Sequence, residues 1–270
     1  VFEPVDGDNL GQVMSDTVAP ALRALLERFI DYAGLFPPAS VPLDGAIANY
    51  HSYQNGDHRW MLRWLVLPVG QCVGVHDSLR PSLSLIAEVD DGHAAALETK
   101  TIVSASKPVY CEVSPDNLAM LDAVKGAGNF AKIRMGSVQP EGIPSVASVA
   151  AFINACADRK LAFKATAGLH HPVRALQALT YEDDAPRAVL HGFLNILMAA
   201  AFAWHGERDI DSIISETEPT AFSFDDRAYW RDKSLSLAEI KAARHDFIHS
   251  VGTCSFDEPI ADLRLLRLLP

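Results

Sequence analysis

Lys132 and Arg134 alternate with apolar neighbours in Ala131-Lys132-Ile133-Arg134-Met135, and Lys164 and Thr166 do the same in Phe163-Lys164-Ala165-Thr166-Ala167. Alternation with period two marks a strand that has one polar and one apolar face. Glu112 shares a face with Tyr110 in Val109–Val113, and Glu88 shares one with Ile86 in Leu83–Val89. Laid side by side in one sheet, these segments bring together Glu88, Glu112, Lys132, Arg134, Lys164 and Thr166. A buried charge costs several kcal/mol unless it is paired, so such a cluster needs a reason. Three cations against two carboxylates leave spare positive charge, which suits an anionic substrate. A closed ion network that merely fills the interior is the competing reading. A lysine beside another cation in a poorly solvated site loses its proton more easily and becomes a nucleophile or base. Arg134 offers a planar fork for a carboxylate or phosphate, and Glu112 or Glu88 can move protons at an adjacent carbon.

The elements that must position these groups follow from the rhythm of the chain. Ser15 and Asp16 can cap a helix whose apolar residues run from Val18 to Ile30, and a second helix is expected from Leu43 to about Tyr53. Asp31 and Tyr32, before the Gly34–Pro38 turn, read as a capped helix end rather than a lid. Beyond residue 60, strands are expected at Trp64–Pro68, Leu83–Val89, Val109–Val113, Ala131–Met135 and Ala162–Ala167. Weaker ones are expected at Ala188–His191, Thr220–Phe224 and His249–Ser255. Helices are expected at His93–Lys100, Leu118–Lys125, Val146–Arg159, Phe193–His205, Leu237–Arg244 and Glu258–Leu268. Eight strands alternating with helices imply an α/β fold, a (β/α)8 TIM-like barrel. One domain over 1–270 is expected, with 1–60 as a helical N-terminal extension and 61–270 as the barrel. An open doubly wound sheet is the runner-up, although no GxGxxG loop follows an early strand. In a barrel the helices cover the apolar face, so the polar set points inward, near the C-terminal strand ends where barrel active sites are built.

The histidines add a second chemistry. His170 and His171 immediately follow a strand end, and His191 ends the proposed sixth strand with Asn195 four residues on. With Glu112 or Glu88 they could surround Zn, Mn or Fe, which take imidazole and carboxylate ligands. No HxH or HExxH spacing supports this, and adjacent histidines do not readily share one ion. Otherwise His170 or His171 serves as an acid/base or substrate contact. In the bland alternative, His191 and Asn195 satisfy backbone groups in a buried helix. Asp257 and Glu258 read as helix capping, and Cys254 has no histidine at a diagnostic spacing. No GxSxG nucleophile elbow occurs.

Composition narrows the classes. Of 270 residues, 49% are hydrophobic and 21% charged, enough apolar matter for a large core and too much for a disordered chain. The formal net charge of -11 opposes nucleic-acid binding. The longest apolar run, Phe193 to Trp204, is short of the roughly 20 residues of a membrane span. Cys72, Cys111, Cys156 and Cys254 form no CxxC pair, as suits a reducing cytoplasm.

The segment Phe163-Lys164-Ala165-Thr166-Ala167-Gly168-Leu169 resembles the Lys-x-Thr/Ser-x-Gly strand end of class I aldolases of the deoxyribose-phosphate aldolase type. The resemblance implies that Lys164 forms a Schiff base with a carbonyl substrate while Lys132 lowers its pKa. It covers about seven residues, and the following His170-His171-Pro172 departs from it. The leading expectation is therefore a cytoplasmic lyase or isomerase, aldolase-like and needing no cofactor, that acts on a small anionic carbonyl metabolite. Lys164, Lys132 and Glu112 would do the chemistry; Arg134, Thr166, Glu88, His170, His171 and Asn195 would bind substrate. The alternatives are a divalent-metal enzyme using His170, His171 and His191, and a non-catalytic sensor of an anionic metabolite. Neither nucleic acid nor membrane is an expected partner, and the sequence leaves a homo-oligomer open.

Overall fold

The computed structural model describes residues 17–72, 75–89, 92 and 94–270. Eight parallel strands close into a barrel: β1 (Ile30–Tyr32), β2 (Leu62–Pro68), β3 (Leu83–Ile86), β4 (Ala96–Thr99), β5 (Val109–Glu112), β6 (Phe130–Arg134), β7 (Phe163–Thr166) and β13 (Ile248–Thr253). They follow one another around the barrel in chain order, and β13 closes against β1. The chain is a (β/α)8 TIM-like barrel. Helices α2 (Leu43–Asn55), α3 (Met120–Gly126) and α4 (Val146–Arg159) cross between strands. Among the described residues no helix separates β3, β4 and β5.

Two barrel strands differ from the expected set. The apolar residues of Ile30–Tyr32 continue the helical spacing of the first expected helix. Instead α1 (Pro20–Leu26) stops early, Arg28 adopts φ +48, and the chain enters the barrel as β1. The barrel therefore begins inside the segment expected to be an extension; the capping pair Ser15 and Asp16 lies outside the described residues. The expected helix His93–Lys100, whose first residue is also outside them, is strand β4. Its Ala, Leu and Glu favour a helix, but all four residues are buried between two neighbouring strands. Tertiary context overrides so weak a preference.

The two displaced strand expectations lie outside the barrel, in the long excursion between β7 and β13. There β8 (Ala175–Ala178) and β9 (Arg187–Leu190) form a hairpin. The strands β10 (Phe222–Phe224), β11 (Arg227–Trp230) and β12 (Lys233–Ser236) make a small antiparallel sheet. The same excursion carries α5 (Phe193–Trp204), α6 (Asp211–Ser215) and α7 (Leu237–Asp246); α8 (Asp257–Leu265) follows β13. Helix α5 is buried on nearly every face, which explains an apolar run that is too short to span a bilayer. No helix of the described residues is long and apolar enough to cross a membrane.

The apolar face of the strands packs outward as expected. Leu65, Leu67, Leu85, Leu97, Ile133 and Ala165 are buried in the apolar core. Each large side chain removed from water contributes about 1.5–3 kcal/mol, so this layer carries much of the fold. The interior is different. Its lower end is filled by Trp64, Tyr110, Phe130 and His249, with the Arg63 guanidinium 3.6 Å over the Trp64 ring. Tyr110 and His249 share a 2.8 Å hydrogen bond. Burial, together with Arg63 and Arg244, holds His249 neutral, with its pKa down to about 3. Above this plug the interior turns ionic.

Candidate active site

Strand register aligns the charged groups. Lys132 lies opposite Lys164 on β6 and β7, Glu112 opposite Lys132, and Arg134 opposite Thr166. The period-two phase read from the sequence thus places both lysines inside, one strand apart. They share one carboxylate that the sequence reading missed. Glu98 of β4 accepts from Lys164 Nζ through Oε1 at 2.7 Å and from Lys132 Nζ through Oε2 at 3.4 Å. Asp31 of β1 takes the other side of Lys164 through Oδ2, which also accepts from Ser250 Oγ at 2.6 Å. Lys132 completes its set with Glu112 Oε2 at 3.1 Å. Ser84 donates to Glu98 Oε1 at 3.0 Å.

Burial pushes the Glu98 carboxyl up, yet the two lysines more than offset this and hold its pKa down to about 2. Burial works against the Lys164 ammonium too, but Asp31 and Glu98 raise its pKa above the ordinary lysine value. Lys164 is therefore a protonated, fully enclosed side chain, 0% exposed. The charge count also changes. Asp31, Glu98 and Glu112 face Lys132, Lys164 and Arg134, so the expected surplus of positive charge is absent from this layer.

A cavity of about 280 Å³ opens above this layer at the C-terminal ends of the strands. Glu98 and Lys132 form its floor, and Lys164 lies beneath them without lining it. Arg134 and Thr166 stand on one side; His170, Cys254 and Glu258 on another; Phe36, Pro37 and Pro38 and the hairpin residues Leu179–Tyr181 complete the wall. Arg134 is 56% exposed, and among the described residues its single ion pair is a 4.0 Å approach to Glu112. Its fork is open to a ligand. Arg134 and Glu112 also line a neighbouring surface groove that contains Lys100 and Asp116.

The loops after β6 and β7 are pressed together at this mouth. A Cβ on Gly168, whose φ is +71, would lie 2.8 Å from Gly136 Cα, and Ala167 beside it holds φ +63. Two successive left-handed residues, one of them not glycine, cost of order 1–3 kcal/mol and fix the turn that follows Thr166.

The remaining expected site residues separate into three groups. His170 lines the cavity: its Nδ1 meets Glu258 Oε2 at 3.0 Å and Thr253 Oγ1 at 3.2 Å. His171 also lines it and pairs with Asp262 at 2.6 Å. Glu88 is a correction. Strand β3 ends at Ile86, so Glu88 stands exposed on the rim, bound to Thr101 Oγ1 and the Lys100 amide. Asn195 is a second correction, because it is buried and fully engaged by backbone. It accepts from the Arg174 amide at 2.9 Å and donates to the Ile213 and Glu216 carbonyls at 2.8 and 2.9 Å. His191 is buried against the Pro144 carbonyl at 2.8 Å, and burial lowers its pKa. The three histidines thus have three separate partners. Among the described residues no three His, Cys, Asp or Glu side chains group as a metal site.

Comparison of the chain with protein-family models, with curated proteins and with solved structures returns no match.

The His170 pair makes a measurable demand on pH. Burial lowers the imidazole pKa, but contacts with Cys254 and Glu258 outweigh it and raise the value to about 9. A raised pKa contributes stability that is complete below the unfolded value near 6.5 and is lost as pH rises through about 9. Between those limits, unfolding free energy should fall by on the order of 3 kcal/mol from this group. Urea titrations of the parent chain and His170→Gln check it. The parent should lose its advantage over the variant across this window; a constant gap would remove the charged imidazole from the site.

Proposed function

We propose that the chain is an aldolase-like enzyme, a lyase that joins a small anionic carbonyl compound to Lys132 as an imine and makes or breaks a carbon–carbon bond beside it. The observation that carries this reading is Lys132 at the cavity floor, between Glu98 and Glu112, with a second lysine beneath it. Buried ion pairs give little net stability compared with an apolar filling, so a barrel packed only for stability has no need of this layer.

The roles of the two lysines follow from access. The aldolase-like strand end implies Lys164 as nucleophile, but Lys164 is sealed under the floor and held protonated by two carboxylates. Lys132 faces the cavity. Glu112, at the mouth, can take a proton from the Lys132 ammonium. The free amine then adds to the carbonyl carbon, and the carbinolamine loses water as Glu112 returns the proton, which leaves the protonated imine. Lys164 keeps Glu98 ionised, and Glu98 stabilises the protonated imine. The open Arg134 fork suits a carboxylate or phosphate on the substrate. His170 and Glu258 line the cavity wall and can carry a proton to or from the adjacent carbon or oxygen.

Borohydride trapping tests the reading. Incubation with aldehydes, ketones and keto acids followed by reduction should add the substrate mass to the Lys132 peptide, and Lys132→Met should abolish the adduct. No adduct across the panel, or an adduct on Lys164, overturns it. Saturable binding of a keto acid without any adduct would support the metabolite sensor instead.

A further inference from the structure

We propose that Cys254 is a second nucleophile of the cavity, set up by His170 and Glu258 to hold an aldehyde in reversible thiohemiacetal linkage. Cys254 follows the last barrel strand, is 6% exposed and lines the cavity wall. His170 comes from the loop after β7, 84 positions earlier in the chain, and its Nδ1 and Nε2 both lie 3.9 Å from the Cys254 sulfur. Its Nδ1 is held by Glu258, which fixes the ring and favours the imidazolium that faces the sulfur. The order Cys–His–Glu is that of an activated thiol, a base and the group that orients the base. Catalytic hydrogen bonds are often this long before a ligand closes on them. Tyr181 Oη lies 3.9 Å from the same sulfur, on the cavity side. Cys111 and Cys156 differ: neither lines the cavity, both are 0% exposed, and burial pushes their thiols up.

The chemistry balances without a further reactant. The proton shared by Cys254 and His170 rests on the imidazole, and the thiolate adds to the carbonyl carbon. A carbon–sulfur bond forms as the carbonyl π bond breaks, and the oxygen takes that proton from the imidazole. Thiol plus aldehyde gives thiohemiacetal, and the reverse step returns both. Aldehydes are the class indicated, because their open carbonyl carbon accepts a thiolate in a site enclosed by side chains. The substrate class rests on the carbonyl reading above, whereas the reactivity of the thiol does not.

Brief labelling of the native full chain with iodoacetamide, followed by peptide mapping, tests both parts. Cys254 should be alkylated roughly tenfold or more faster than Cys111 or Cys156, and His170→Gln should remove most of that advantage. Glycolaldehyde should protect Cys254, dialysis should reverse the protection, and Lys132→Ala should leave it intact. Should His170→Gln not fold, Glu258→Gln and the aldehyde protection of the parent chain carry the test. Cys254 labelling no faster than Cys111, or at a rate indifferent to both substitutions, overturns the activated thiol. Rapid labelling without protection overturns the aldehyde assignment. Protection that disappears in Lys132→Ala overturns the thiol adduct and leaves the imine standing. Protection without any borohydride adduct upholds the thiol and removes the imine.

Discussion

Replacing Lys164 by Met should cost about 3–5 kcal/mol of folding stability, although the new side chain is apolar and of similar length. The loss comes from the carboxylates left behind. Asp31 Oδ2 would keep only Ser250, and Glu98, 2% exposed, would keep Lys132 and Ser84. Domains of this kind are stable by only about 5–15 kcal/mol, so the variant should unfold at a much lower urea concentration. Adding Asp31→Asn removes one stranded charge, and the double variant should recover part of the loss. A fall below about 1 kcal/mol for Lys164→Met would mean that the layer is not a paired network at all.

Asn195→Ala should cost a comparable amount, about 3–5 kcal/mol, for a reason unrelated to substrate. One amide ties the loop at Arg174 to the end of helix α6 and to Glu216. Its removal strands one buried amide and two carbonyls, at about 1–3 kcal/mol for each buried group left unsatisfied. Urea unfolding is the measurement. A variant that keeps the parent midpoint yet no longer gives the borohydride adduct would return Asn195 to the substrate contacts.

Which parts of this molecule were legible depends on how local each signal is. Strands β5, β6 and β7 announce themselves by alternation, and their polar faces point as that alternation requires, so Lys132, Arg134 and Lys164 were placed from sequence. Strand β1 has three residues, too few for any periodicity, and they prolong a helical pattern. Strand β4 is written in helix-favouring residues and is a strand only because strands lie on both sides of it. Asp31 and Glu98 sit on those two strands, so the carboxylates that hold Lys164 were the ones overlooked. Glu88 has the correct phase, but its strand ends two residues before it. Cys254 and His170 are adjacent only because β13 pairs with β7, and no spacing rule spans 84 positions.

The seam between β1 and β13 joins strands from near opposite ends of the described chain. Asp31 and Ser250 are 219 positions apart, and Asp31 and Lys164 are 133 apart. Closing so long a loop adds only slowly to the entropy cost, but contacts of this range slow the search for the native state. During synthesis Asp31 emerges early and then waits for residues 248–253 before its strand has a neighbour on that side. Until then the half-built sheet exposes the edges of β1 and β7, and exposed edges recruit other chains. The Asp31 counter-charge for Lys164 and the wall that carries Cys254 thus arrive with the same late event. A chain stalled short of β13 lacks the Cys254 wall and has two open edges, a species for chaperones rather than for substrate.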